Sequence, residues 1–488
     1  MRAIRIHWFS IRAYASIALA AACAHYPQTA STTAPAPVRG SVGAGYRFGS
    51  FPATGRNSDS IFVILTFSGG GTRAAAFAYG ALQELARTQI DTGARARSVL
   101  EEVDVISTIS GGSFAGAYYA LYGIDSLATF EQRFLTWNAE GALKRQLLTP
   151  TIFRLASPNY SRSDMAAETW DKRLFHGATF KDILSHRKRP YLIVNATDMA
   201  LGAPFSFTQE QFDPMCDDLA EFPIARAVAA SSAFPGLLTP ITVENHAGRC
   251  PFRPPGWATS DSTDAHINAD AFRAARDYFT YTDSIKRPYI HLMDGGPSDN
   301  LGIRPILRGL TSVARDFSLL PLQANGRLRH IVVIVVNART SDMSSINKSP
   351  NPPGIFGVLK AAAGVPFDNY SNESLTRLET LSIGRQADRV GTECYYALLA
   401  KLKPTATPPM IPALVPIDIV HVTFDDVKDP VARAFFLGVP TTFALPGTTI
   451  ARLRDVAGQL LRENEQFQQT LQSLRYQSHE APIKCFGQ

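Results

Sequence analysis

The chain has no apolar run long enough to cross a bilayer, no block of like charge, no Cys-x-x-Cys pair and no internal repeat. Each absence removes a class of function. A spanning helix needs ~20 consecutive apolar residues, and no stretch reaches that length, which predicts a soluble or peripheral body. Charged residues make up only 18% of the 488, and the formal charge of +6 falls to +3 once Arg2, Arg5 and Arg12 are set aside with the leader described next. So mild and scattered a charge gives nucleic acid nothing to bind, and no zinc-finger or RNA-binding signature is present. Without close cysteine pairs or a cluster of ligands, neither a zinc site nor another metal or cofactor is expected.

The first residues have the form of an export leader. Arg2, Arg5 and Arg12 make a basic start, and Ala13–Ala22 makes a short apolar run. This predicts a signal peptide over residues 1–22. Cys23 follows Leu19-Ala-Ala-Ala as in a lipoprotein signal, except that Leu19 stands one place early. Lipidation of Cys23 and ordinary cleavage nearby both imply export, to the periplasm or cell envelope, with a lipid anchor in the first case. Residues 23–58, rich in Pro, Ala, Thr, Ser and Gly, read as a flexible tether.

Four further cysteines, Cys216, Cys250, Cys394 and Cys485, suit two disulfides in an exported protein. Of three connectivities, pairing sequence neighbours joins Cys216 to Cys250 and Cys394 to Cys485; free buried thiols are the alternative.

From Ser60 the chain alternates strands with helices. Ile61–Phe67, Val103–Ile109, Tyr191–Asn195, Tyr289–Met293 and His330–Val336 read as buried strands, and Ile417–Phe424 as another. Thr72–Arg87, Phe114–Tyr122 and Thr448–Leu474 read as helices. This rhythm predicts an α/β fold with a largely parallel central sheet. Ser341–Pro366 reads as a long loop. Residues 59–340 form the expected catalytic domain and 341–488 a helical extension packed on it.

Three motifs carry chemistry. Gly111-Gly112-Ser113-Phe114-Ala115 stands where the second strand turns into a helix, as in the G-x-S-x-G nucleophile elbow. Ala115 replaces the last glycine. A serine helix cap is the bland alternative. Ser68-Gly69-Gly70-Gly71-Thr72-Arg73 opens the first helix, with N–H groups free to hold an oxyanion. Gly69-x-Gly71-x-x-Ala74 also fits a dinucleotide fingerprint, but the second strand ends without the acid that would hold a ribose. Asp294-Gly295-Gly296 closes the fourth strand; alone it would be a turn.

The order and spacing of these motifs resemble the patatin-like phospholipase family over roughly Ser60–Asn337. Ala230-Ser231-Ser232-Ala233-Phe234-Pro235-Gly236 and Ser298-Asp299-Asn300-Leu301-Gly302 add softer matches. The resemblance implies a three-layer α/β/α fold and a Ser–Asp dyad that cleaves lipid carboxylic esters through an acyl-enzyme, as a phospholipase A or lysophospholipase. It implies Ser113 as nucleophile, Asp294 as base, Gly69, Gly70 and Gly71 at the oxyanion with Arg73 anchoring the loop or meeting a lipid phosphate, and no cofactor. Phospholipid is the implied partner, with peripheral membrane contact; nothing points to a protein partner. Two other readings stand beside it. One is a non-catalytic lipid-binding envelope lipoprotein on a degenerate scaffold. The other is a Ser-His-Asp esterase drawing on His330, His421 or His479.

Overall fold

A computed structural model of the chain describes residues 45–476 apart from 54–56, 91–95, 187, 262–268, 313–314, 316, 325, 327, 341–349, 351–353 and 403–413, together with Cys485. The expected leader, Cys23 and His479 lie outside the described residues.

Eight strands form one mixed sheet: β1 Ile61–Phe67, β2 Val103–Ile109, β3 Tyr191–Asp198, β4 Ala203–Ser206, β5 Ile241–Glu244, β6 Tyr289–Met293, β7 His330–Asn337 and β8 Ile417–Thr423. Their order is β5-β6-β3-β2-β1-β7-β8, with β4 also on β3. The five strands β3-β2-β1-β7-β8 run parallel. Every residue of β1, β2 and β3 is buried. A strand buried on both faces must be covered by helices on both sides, which is why these segments read as unbroken apolar runs. The fold is a three-layer α/β/α sandwich.

The helices that matter for the site are α1 Gly71–Arg87, α2 Gly111–Tyr122, α3 Arg162–Trp170, α4 Ile224–Ser231, α5 Gly296–Asp299, α6 Ile355–Leu402, α7 Gly447–Glu463 and α8 Glu465–Tyr476. Gly80 lets α1 and α7 meet closely, since a Cβ there would fall within 2.8 Å of the Arg454 backbone. Among the described residues, no helix is long and apolar enough to cross a membrane.

Four expectations change. The segment read as a tether ends sooner: Tyr46, Phe48 and Phe51 are buried, and the Tyr46 hydroxyl donates to the Leu192 carbonyl at 3.0 Å. Three aromatics in a Pro- and Gly-rich stretch outweigh its loop-like composition, because each buries a large apolar area. The strand Tyr289–Met293 is not part of the parallel set. It runs antiparallel to β3 and β5, and Tyr289 is 52% exposed. The loop expected over Ser341–Pro366 gives way to helix at Ile355, so Gly357, Gly364 and Pro366 lie within α6. The expected single helix Thr448–Leu474 is broken at Asn464 into α7 and α8.

Disulfides join Cys216 to Cys250 and Cys394 to Cys485, with Cα–Cα distances of 5.6 and 5.4 Å.

Candidate active site

Ser110 is the residue at which β2 becomes α2, and its backbone is bent into φ +48°, ψ −121°. A side-chain residue at positive φ costs on the order of 1–3 kcal/mol and persists only where the surroundings hold it. The hold here is explicit. The Ser110 N–H donates to the Ser231 hydroxyl at 2.8 Å, and that hydroxyl donates to the Asn195 carbonyl at 2.6 Å. Ser110 occupies the N-cap position of α2, yet its side chain makes no capping bond. It acts on the Asp294 carboxyl instead, lowering its pKa. The serine-cap alternative fails for this residue.

Ser113 stands three residues on, wholly buried in the first turn of α2. Its hydroxyl lies 3.1 Å from the Ser231 hydroxyl. The expected pairing of Ser113 with Asp294 is therefore corrected: the carboxylate faces Ser110. The physical reason is the positive φ at Ser110, which turns its side chain out of the helical path, while Ser113 inside the first turn is held against Ser231 of α4. Gly111 and Gly112 follow the Ser110 hydroxyl rather than precede it. Ala115 is buried within α2.

Asp294 is 3% exposed at the end of β6. Its N–H donates to the Ala233 carbonyl at 3.1 Å, and Gly295 donates to Ser231 at 3.2 Å. Burial raises the carboxyl from its usual range to about 6, against the lowering effect of the Gly296 N–H and then the Ser110 hydroxyl. The Gly296 bond is 2.9 Å. A Cβ on Gly295 would fall within 2.6 Å of the Asn195 oxygen, which is why this turn takes glycine.

The glycine loop lies against the elbow. A Cβ on Gly111 would come within 2.6 Å of the Gly71 nitrogen and closer still to its oxygen. A Cβ on Gly69 would come within 3.3 Å of Ser110 Cβ. Gly70 and Gly71 adopt φ of +135° and +59°, the left-handed half of the map that glycine enters without penalty. Gly69 is committed, its N–H donating to the Asn300 carbonyl at 3.2 Å. Thr72 is committed too, donating to the Thr442 carbonyl at 2.8 Å. That leaves the N–H groups of Gly70 and Gly71, at the open first turn of α1, nearest the Ser110 side.

Arg73 is buried and serves the loop. Its Nε donates to the Ala338 carbonyl at 2.9 Å and Nη1 to the Val439 carbonyl at 2.6 Å. Of the two roles expected for it, these bonds are those of an anchor. Thr442 and Val439 thus brace the loop from a segment far along the chain. The Thr442 hydroxyl donates to Glu140 at 2.6 Å, and Phe443 packs with Phe114 and Trp170 of α3.

Among the described residues, no histidine hydrogen-bonds Ser110 or Asp294. His421 lies 3.2 Å from the Asn337 amide, and His330 lies on β7 near Asp418. Sequence reasoning missed Ser110, Ser231 and Thr442. The one available signal was position: Ser110 directly follows the last residue of β2.

Gly111→Ala is expected to push the glycine loop away from the elbow and lower kcat at least about 100-fold, the scale of losing one oxyanion donor. Steady-state kinetics on a soluble ester, beside an unfolding curve to establish that the protein still folds, would measure it. A kcat within threefold of wild type would contradict this packing.

A family model, Patatin-like phospholipase, matches residues 65–307. A comparison with curated proteins gives no match. Among solved structures, human GIVD cytosolic phospholipase A2 is similar at 13% identity and a TM-score of 0.39, over 85% of this chain and 62% of that one. VipD from Legionella pneumophila is similar at 12% identity and a TM-score of 0.30, over 85% and 67%. The chain thus spans about three fifths of the length of the phospholipase A2 it matches.

Proposed function

We propose, for a chain that belongs to the patatin-like phospholipase family through residues 65–307, a lipid carboxylic-ester hydrolase with Ser110 as nucleophile and Asp294 as its base. The observation that carries this reading is the strained elbow at Ser110, whose hydroxyl meets a buried carboxylate.

The chemistry follows from the arrangement. Asp294 takes the Ser110 proton as Oγ attacks the ester carbonyl, and the Gly70 and Gly71 N–H groups receive the oxyanion. The tetrahedral intermediate collapses, and the proton passes from Asp294 to the leaving alcohol. Water, deprotonated by Asp294, then attacks the acyl-enzyme and releases the fatty acid with Ser110 restored. The positive end of α2 stabilises the alkoxide side of each step.

A carboxylate that ionises at about 6 suits a base working at neutral pH far better than one at ~3.9. The acid limb of kcat/KM is expected to fall about tenfold per pH unit below 6, with no histidine-dependent step. The test is hydrolysis of defined phospholipids and of a short-chain ester between pH 4 and 8. A limb centred below pH 5, or no release of fatty acid at any pH, would end this assignment.

The proposal extends to place. Two disulfides suit an oxidising compartment, which favours export to the envelope and a lipid-facing role. Mass spectrometry of the mature N-terminus decides between an acylated Cys23 and simple cleavage.

A further inference from the structure

One cavity outside the catalytic pair is lined by hydrogen-bond donors that lack acceptors. It measures about 70 Å³ and lies between β3, β4, the helix Arg304–Thr311 and Trp257. Neither Ser110, Asp294 nor the glycine loop lines it.

Trp257 is 4% exposed, and its indole N–H is buried without a partner among the described residues. The Gln211 Nε2 amide is buried and unpartnered as well. Arg308 lines the same space, and its guanidinium makes no hydrogen bond or ion pair with a described residue. Burial, and then the charges of Arg315 and Arg304, push its guanidinium down to about 10, against the opposing charges of Asp299 and Glu210. The other charges at the cavity are spoken for. Arg315 is paired to Glu210 at 2.9 Å and lies 3.5 Å over the Trp257 ring. Asp277 also lines the cavity; burial raises its carboxyl, against the lowering effect of Arg273 and then Arg308.

Buried donors left unsatisfied are few in folded proteins, and each costs about 1–3 kcal/mol. Here an indole, an amide and a guanidinium line one space. The indole nitrogen can only donate. A group with three or more acceptor oxygens would satisfy the set at once. A single water, with two lone pairs, cannot accept from all three donors. One water needs only ~10–15 Å³, so the cavity has room for a tetrahedral anion.

We propose that Trp257, Gln211 and Arg308 form a binding site for a small oxyanion of the phosphate class, separate from the catalytic pair. Its source is either free phosphate or the phosphate of a glycerolipid headgroup. The site does not depend on the hydrolase reading, and its test does not read ester cleavage.

The experiment titrates the full chain with inorganic phosphate and, separately, with glycerol 3-phosphate, against chloride at equal ionic strength. Thermal unfolding and the ³¹P linewidth report binding. Saturable binding at one site per chain is expected. Arg308→Met should weaken it at least about tenfold, since it removes a charge-assisted bond. Trp257→Phe, which keeps an aromatic ring but deletes the indole N–H, should weaken it severalfold. Tighter binding of glycerol 3-phosphate identifies a headgroup site; equal binding identifies a free-anion site. Absence of saturable binding to the wild type, or undiminished binding in the folded variants, overturns the proposal. If Arg308→Met does not fold, Trp257→Phe alone decides.

Discussion

Replacing Ser110 with alanine is expected to lower kcat/KM toward a lipid ester by about 10⁴-fold or more and to abolish labelling by a fluorophosphonate, whereas Ser113→Ala keeps activity within about tenfold. The asymmetry follows from what each hydroxyl touches. Ser110 Oγ meets Asp294 at the mouth of the elbow. Ser113 Oγ meets only Ser231, behind the elbow. The Ser231 oxygen accepts from the Ser110 N–H and donates to the Asn195 carbonyl, so it remains bonded when Ser113 loses its hydroxyl. Losing one neutral buried hydrogen bond costs about 0.5–1.5 kcal/mol of stability, far below the loss of a nucleophile. Mapping the labelled peptide at residue level distinguishes the two serines. A label on Ser113, or turnover surviving in Ser110→Ala, would return the nucleophile to Ser113.

Asp294→Asn is expected to remove about 10³-fold of activity and at the same time to stabilise the fold at neutral pH by up to about 3 kcal/mol. Asp294 ionises at about 6 when folded, against 3.8 for the ordinary carboxyl. Below pH 3.8 it is protonated in both the folded and unfolded chain and costs nothing. As the pH rises through 6 the folded protein must give up a proton that burial favours keeping, and stability is lost. At 1.36 kcal/mol per pH unit this amounts to about 3 kcal/mol at pH 7. Denaturant curves of both proteins at pH 7 and pH 4 check the sign: the gain should be present at pH 7 and nearly absent at pH 4. A variant that is less stable at pH 7 would mean that the carboxylate is held by favourable contacts rather than by burial against its preference.

The sheet was legible because its central strands are covered on both faces and so are apolar at every position. β1, β2 and β7 appear at their full lengths in the pattern of Ile, Val, Leu and Phe. The antiparallel edge was not: β5 has four residues, and β6 alternates exposed with buried positions. The motif residues were legible as a set, but not which serine faces Asp294. A spacing rule selects Ser113 because glycine precedes it and Ala115 follows. The deciding property is a backbone angle at Ser110, and a serine carries no mark of positive φ. Ser231 was equally silent, one serine in an alanine-rich stretch whose hydroxyl acquires meaning only when α4 brings it beneath the elbow. The helix at 355–366 was hidden by Pro and Gly, which favour turns locally and were overridden here.

The brace on the glycine loop bears on timing. Main-chain carbonyls of Val439 and Thr442 hold Arg73 and Thr72, more than 360 positions away along the chain. A ribosome releases the chain from its N-terminus onward. Ser110, Asp294 and the three glycines all emerge well before the segment that fixes the loop they share. The half-made polypeptide therefore holds Ser110, Asp294 and the glycines before the braces on their loop exist, and the loop is fixed only once synthesis has passed Thr442. On the proposed hydrolase reading, activity is expected to appear only in the finished chain.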